Sequence, residues 1–119
     1  MKPVADLWRR WHALHERITA PSAQERYRIA VVGGGAGSVE LALAMSHRLR
    51  GKPLALDLWC GAAEILQSYN ARARRTVMAA LQRRGIDVHL NARVIEVKAH
   101  CLVFADGMRA EYDDLFWCT

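Results

Sequence analysis

The sequence contains no hydrophobic run that approaches the ~20 residues needed to cross a bilayer. Its N-terminal stretch also lacks the uninterrupted apolar core of a secretory signal, and Asp6 and Glu16 are unusual in an organelle transit peptide. We therefore expect no transmembrane segment and a cytoplasmic location, although a longer parent protein could still associate peripherally with a membrane. Hydrophobic residues make up 52% of the 119 residues, which is enough for one domain with its own core.

Disulfide and metal-binding patterns are absent as well. The three cysteines, Cys60, Cys101 and Cys118, are far apart and lie within apolar segments. The five histidines show no metal-ligand spacing with one another or with cysteine. The sequence predicts no metal site and no disulfide framework, and we interpret the cysteines as small core residues.

Acidic residues are fewer than basic ones, 12 against 17, and the formal net charge is +5. Such an excess can indicate nucleic acid, an anionic surface or a missing acidic partner. Several of the cations fall where predicted helices end, at Arg48, Arg83 and Arg84, and cations there complement the carbonyl end of a helix. We therefore expect no nucleic-acid binding.

What is present is a glycine-rich turn between a short β-branched strand, residues 28–32, and a predicted helix over residues 36–48. The predicted dinucleotide-binding residues of this turn are Gly33, Gly34, Gly35, Ala36, Gly37 and Ser38. In such a fingerprint Gly33 allows the tight turn, Gly35 lets the backbone approach a pyrophosphate, and the small Ser38 keeps the helix close to the strand. The phosphates would lie at the amino end of the helix. A strand-to-helix turn that binds nothing is the alternative.

Glu40 and Cys60 complete the predicted cofactor-binding set. We place Glu40 in the first helical turn, where it either interacts with the helix dipole or accepts a hydrogen bond near the reactive end of the ligand. Cys60 follows the predicted second strand, at the position where an NAD-selective site carries an acid. Because Asp57 and Glu64 are the nearest acids, the choice between NAD and NADP stays open.

The order of predicted elements indicates the fold class. A helix capped by Asn70 follows the second strand, and a third strand over residues 86–90 completes a βαβαβ pattern. Three short strands then replace the next helix, and Asp106-Gly107 is a strong hairpin signal between the last two. We expect an α/β, three-layer Rossmann-like (FAD/NAD(P)-binding) domain with a parallel central sheet and a three-stranded antiparallel β-meander.

The N-terminal region, residues 1–26, is predicted to be an amphipathic helix and a linker, and residues 27–119 form the domain. Leu7, Trp8, Trp11, Leu14 and Ile18 recur at helical spacing. Their face could pack on a neighbouring domain, on this domain's own sheet or on a membrane surface. It could also pair with a second copy to give a homodimer.

Two segments together resemble a known family. Residues 31–40, and Asp106-Gly107 followed by residues 112–119, are similar to the NAD(P)H-binding domain of FAD-dependent pyridine nucleotide-disulfide oxidoreductases, including type II NADH dehydrogenases. Lys2-Pro3 before a helix resembles the branch associated with selenide, water dikinase. In this family hydride passes from the nicotinamide to FAD. The resemblance implies that Gly33, Gly35 and Ser38 line the pyrophosphate of NAD(H) or NADP(H) and that Glu40 approaches the nicotinamide.

The resemblance also implies that this chain is part of a longer flavoprotein. No FAD fingerprint and no redox-active cysteine pair occur in the sequence, so FAD would bind to another part of the same parent chain. No residue is a convincing acid, base or nucleophile, and we expect the isolated fragment to be inactive. The alternatives are a regulatory module that senses NAD(H) or another adenine nucleotide without chemistry, and an interaction domain with an empty cleft.

Overall fold

The computed structural model describes residues 27–118 of the chain. The predicted N-terminal helix, its linker and any pairing surface on that helix lie outside the described residues. The strands are β1 (Tyr27–Val32), β2 (Leu54–Trp59), β3 (Asp87–His89), β4 (Val94–Lys98), β5 (Cys101–Phe104), β6 (Arg109–Glu111) and β7 (Asp114–Trp117), and the helices are α1 (Ala36–Arg48) and α2 (Ala71–Arg83).

The central sheet is parallel and has the strand order β3-β2-β1-β7. The strand β1 lies inside it, with both faces covered. Ile29 and Val31 join the core on the helical side, whereas Ala30 and Val32 join the core on the other side. A strand buried on both faces is a nearly continuous apolar run, which is why residues 28–32 show no polar alternation.

The strands β4, β5 and β6 form a separate antiparallel sheet that covers the second face of the parallel sheet. Leu102, Phe104 and Tyr112 are buried there against Ala30 and Val32. Helices, parallel sheet and meander make three layers, so the predicted fold class is confirmed.

Local signals in the sequence placed most element ends correctly. Asn70 caps α2, since its side chain accepts a hydrogen bond from the Ala73 amide at 2.8 Å. Gly85, with φ of +74°, follows the end of that helix. Within α1, Ala42 is buried, whereas Ala44 is exposed. Residues two positions apart point about 200° from each other on a helix with 3.6 residues per turn.

Tyr112 fastens the meander beside the parallel sheet. Its hydroxyl donates to the Lys98 carbonyl oxygen. Burial, followed by the nearby Cys101 and Asp114, raises the pKa of this phenol above its usual value of 10.0. The protonated donor is thus the form that the folded state favours.

Replacing Tyr112 with Phe should lower the free energy of unfolding by about 1 kcal/mol at neutral pH, because the Lys98 carbonyl oxygen loses its donor. Since the folded pKa is raised, the contribution of the phenol is complete below pH 10 and is lost as the pH rises through the folded value. The difference between the wild type and Tyr112→Phe should therefore shrink in alkaline buffer. Urea unfolding of both proteins in neutral and in alkaline buffer measures this difference in stability. A difference that grows with pH would contradict the raised pKa of Tyr112.

Candidate functional site

Gly33 follows β1 in a conformation that other residues rarely adopt, with φ of +143°. A Cβ at this position would lie 3.2 Å from the Cβ of Ser38 and 3.3 Å from the Cys118 carbonyl oxygen. The absence of a side chain therefore lets the start of α1 and the end of β7 approach the turn. Both the positive φ and the close packing therefore favour glycine at position 33.

Gly34 is held against the segment that follows β2. Its carbonyl oxygen accepts a hydrogen bond from the Leu66 amide at 2.8 Å. A Cβ at Gly34 would lie only 2.5 Å from the Sγ atom of Cys60. The second glycine of the turn is thus required by contact with a buried thiol.

Gly35 differs from Gly33 and Gly34 because nothing in the fold requires a glycine there. Its φ of −86° and ψ of 179° suit any residue, and a Cβ would meet nothing within 4 Å. It is the N-cap of α1, and no side chain caps this end of the helix. The space beside Gly35 and the uncapped amide groups of the first turn together form a place for an anionic group.

Ser38 fastens the turn to the helix and does not line the cleft. It is buried, and its hydroxyl donates to the Gly35 carbonyl oxygen at 2.9 Å. Gly37 is exposed and also lies outside the cleft lining, whereas Ala36 lies within it. Of the predicted turn residues, four therefore line the cleft itself: Gly33, Gly34, Gly35 and Ala36.

The cleft has a volume of about 740 Å³ and opens at the carboxyl ends of the parallel strands. Its walls are the glycine turn, the segments that follow β2 and β3, and Trp117 at the end of β7. Ligands of open α/β sheets bind at this edge, in the crevice beyond the strand ends. The volume lies within the range of small-molecule sites.

Glu40 does not lie in the first turn of α1, where we predicted it. The helix begins at Ala36, its first turn holds no acidic residue, and Glu40 is exposed outside the cleft lining. The interpretation of Glu40 as a partner of the helix dipole is therefore wrong, because the dipole acts mainly within the first turn. Its approach to the nicotinamide stays a prediction.

Cys60 lies in the cleft wall, but its side chain points inward. The residue is 2% exposed, and its Sγ atom contacts the Glu64 carbonyl oxygen at 3.7 Å. Its amide donates to the His89 carbonyl, and its own carbonyl accepts from the Ala92 amide, each at 2.8 Å. Direct contact of Cys60 with a ribose stays a prediction; the structure shows it as a packing residue beneath Gly34.

The two neighbouring acids are engaged elsewhere. An Asp57 carboxylate oxygen lies 2.8 Å from Nε2 of His89, and Asp57 does not line the cleft. Glu64 does line it, and its carboxylate pairs with Arg74 at 3.2 Å. Neither carboxylate is therefore an unpaired acceptor at the end of β2.

Sequence reasoning did not single out Arg93 or Trp117 as site residues, although both line the cleft. Trp59, which also lines it, stacks on His89 with ring centroids 3.7 Å apart. Arg93 belongs to no recognisable motif. One signal was available: Arg93 follows the third predicted strand, and residues after neighbouring parallel strands meet at one edge of the sheet.

Residues 27–118 contain neither a metal-binding cluster nor a membrane-spanning helix. They hold no group of three or more His, Cys, Asp or Glu residues that could bind a metal ion. No helix in this part of the chain is both long and apolar enough to span a membrane.

Known structures share this fold. The Plasmodium falciparum NDH2 in complex with NADH is 18% identical over 90% of this chain, with a TM-score of 0.76. Reduced Bacillus anthracis CoADR-RHD is 16% identical over 99% of this chain, also with a TM-score of 0.76. The ferredoxin reductase for the CYP199A2 system of Rhodopseudomonas palustris is 18% identical over 91%, at 0.71. The chain spans only 26%, 20% and 26% of these proteins.

The family of the chain is shown by comparison with models of protein families. No curated protein matches the chain significantly. The family model described as pyridine nucleotide-disulphide oxidoreductase, however, matches residues 8–119, nearly the whole sequence. The chain therefore belongs to the pyridine nucleotide-disulphide oxidoreductase family.

Proposed function

We propose that this chain is the NAD(P)H-binding domain of a flavin-dependent pyridine nucleotide oxidoreductase and that it orients the nicotinamide toward FAD bound elsewhere in a longer protein. The observation that carries the proposal is the uncapped amino end of α1, which opens beside Gly35 into the cleft. Membership of the family supports it. The similar fold of a protein solved in complex with NADH supports it further.

The proposal gives each part of the dinucleotide a position in the cleft. The pyrophosphate lies against Gly35 and Ala36, where amide groups and the helix dipole favour negative charge. The adenosine ribose lies near Gly61, since the end of β2 is the ribose position in this fold. The nicotinamide then extends toward Trp117 on the other side of β1. Residues of this chain bind and orient the cofactor, and FAD accepts the hydride when the parent protein is complete.

Several expectations about the parent protein belong to the same proposal. FAD is bound by parts outside this chain, which is consistent with the small share of the similar structures that it covers. The division into residues 1–26 and 27–119, the relation to the selenide, water dikinase branch and the cytoplasmic location stand as predictions. So does pairing of two copies through the N-terminal helix.

Titration of the 119-residue chain with NADH and NADPH by calorimetry tests this function. We expect saturable binding of at least one nucleotide and a change in tryptophan fluorescence, because Trp59 and Trp117 line the cleft. No NADH oxidation is expected without an added flavoprotein. A chain that is folded by circular dichroism and binds neither nucleotide would contradict the proposal and favour an interaction domain.

A further inference from the structure

Arg93 lines the cleft, and its backbone is anchored on both sides. The residues just before it are tied to the end of β2: the Asn91 amide donates to the Ala62 carbonyl and the Ala92 amide to the Cys60 carbonyl, each at 2.8 Å. On its other side, the Arg93 carbonyl accepts from the Ala105 amide at 2.9 Å. The backbone of Arg93 is therefore fixed between the parallel sheet and the meander.

This anchoring places Arg93 directly beside the ribose position. Its Cα lies 3.7 Å from the point that a Cβ on Gly61 would occupy, which is ordinary van der Waals contact. The side chain of Arg93 is exposed and lines the cleft. Gly61 and Ala62 also line the cleft and are small, so little side-chain bulk lies between the end of β2 and Arg93.

The charge of Arg93 is not neutralised within the cleft. Only two side chains of the cleft lining are charged, those of Glu64 and Arg93. Glu64 already pairs with Arg74, whereas none of the ion pairs found in residues 27–118 involves Arg93. An unpaired, exposed guanidinium group beside a ligand site is suited to bidentate contact with a phosphate.

The end of β2 also lacks the group that would reject such a phosphate. A site selective for NADH places a carboxylate there, which binds the ribose 2′-hydroxyl and repels a 2′-phosphate. Here that position is Cys60, with its thiol buried, and Asp57, which does not line the cleft, contacts His89. We propose that Arg93 binds the adenosine 2′-phosphate and makes this site selective for NADPH over NADH, an inference that rests on the function proposed above.

The test compares NADPH and NADH on the wild-type chain and on Arg93→Gln, which keeps a polar side chain of similar reach without the charge. We expect the wild type to bind NADPH at least about tenfold more tightly than NADH. The variant should bind NADPH about 10–100-fold more weakly, as expected for loss of a charge-assisted contact. Its affinity for NADH should change by less than about twofold, because NADH lacks the phosphate that Arg93 is proposed to bind.

Arg75→Gln is the matched control, since Arg75 is exposed on α2 and does not line the cleft. It removes the same net charge and should leave the ratio of the two affinities unchanged. Equal binding of both nucleotides by the wild type, or equal weakening of both by Arg93→Gln, overturns the inference while the dinucleotide site stands. Failure of the folded wild type to bind either nucleotide overturns the proposed function and this inference with it.

Discussion

The Gly35→Asp variant should remain folded and lose dinucleotide binding. The backbone at Gly35 suits an L-residue, and the new Cβ has nothing within 4 Å. Aspartate is also a better N-cap than glycine, so the free energy of unfolding should stay level or rise by a few tenths of a kcal/mol. Its carboxylate, however, would lie where the proposed function has the pyrophosphate, and juxtaposed like charges cost several kcal/mol. We expect affinity to fall by at least about 100-fold.

Gly35→Asn separates charge from size in this experiment. Asparagine has the same shape as aspartate and caps a helix equally well, but it brings no negative charge. Calorimetric titration of both variants, with thermal unfolding to follow stability, should show a much smaller loss of affinity for Gly35→Asn. Equal losses would mean that bulk alone closes the site. Wild-type affinity in Gly35→Asp would place the phosphates away from the amino end of α1.

Gly34→Ala should destabilise the fold by about 1–3 kcal/mol, the usual cost of overpacking a well-filled core. The added methyl group would lie 2.5 Å from Sγ of the buried Cys60, which is too close for any real contact. Urea unfolding followed by circular dichroism measures the loss. Gly37→Ala is the matched control, because its Cβ meets nothing within 4 Å and alanine favours a helix by up to ~1 kcal/mol.

The double variant Gly34→Ala/Cys60→Ala identifies the cause of that loss. Removing Sγ leaves the Cβ of Cys60 as the nearest atom, 3.6 Å from the new methyl group, which is ordinary contact. Cys60→Ala alone should cost roughly 1 kcal/mol by leaving a small void. The double variant should therefore be more stable than the sum of the single effects predicts, by about 1 kcal/mol or more. Strict additivity would show that the thiol is not the obstacle.

Local patterns in the sequence predicted the elements and the layers well. Apolar runs, alternation and helical spacing identified the strands and helices. Burial on both faces of a strand produces a continuous apolar run, whereas burial on one face of a strand or helix produces a period. The Asn70 cap and the Asp106-Gly107 turn are also local, since each depends on backbone atoms a few residues away. The glycine turn was visible for the same reason: strand, turn and helix are contiguous in sequence.

The sequence by itself thus determined the fold class, the family and the position of the glycine turn. Only the tertiary structure decided which residues share the cleft. Arg93 faces Gly61 because β3 pairs beside β2, a contact between segments about thirty residues apart that no local pattern encodes. The same pairing of distant strands turns Asp57 toward His89, while packing beneath the glycine turn buries the thiol of Cys60 under Gly34. Side-chain direction and strand order are properties of the assembled sheet, and they decide which predicted residues can reach a ligand.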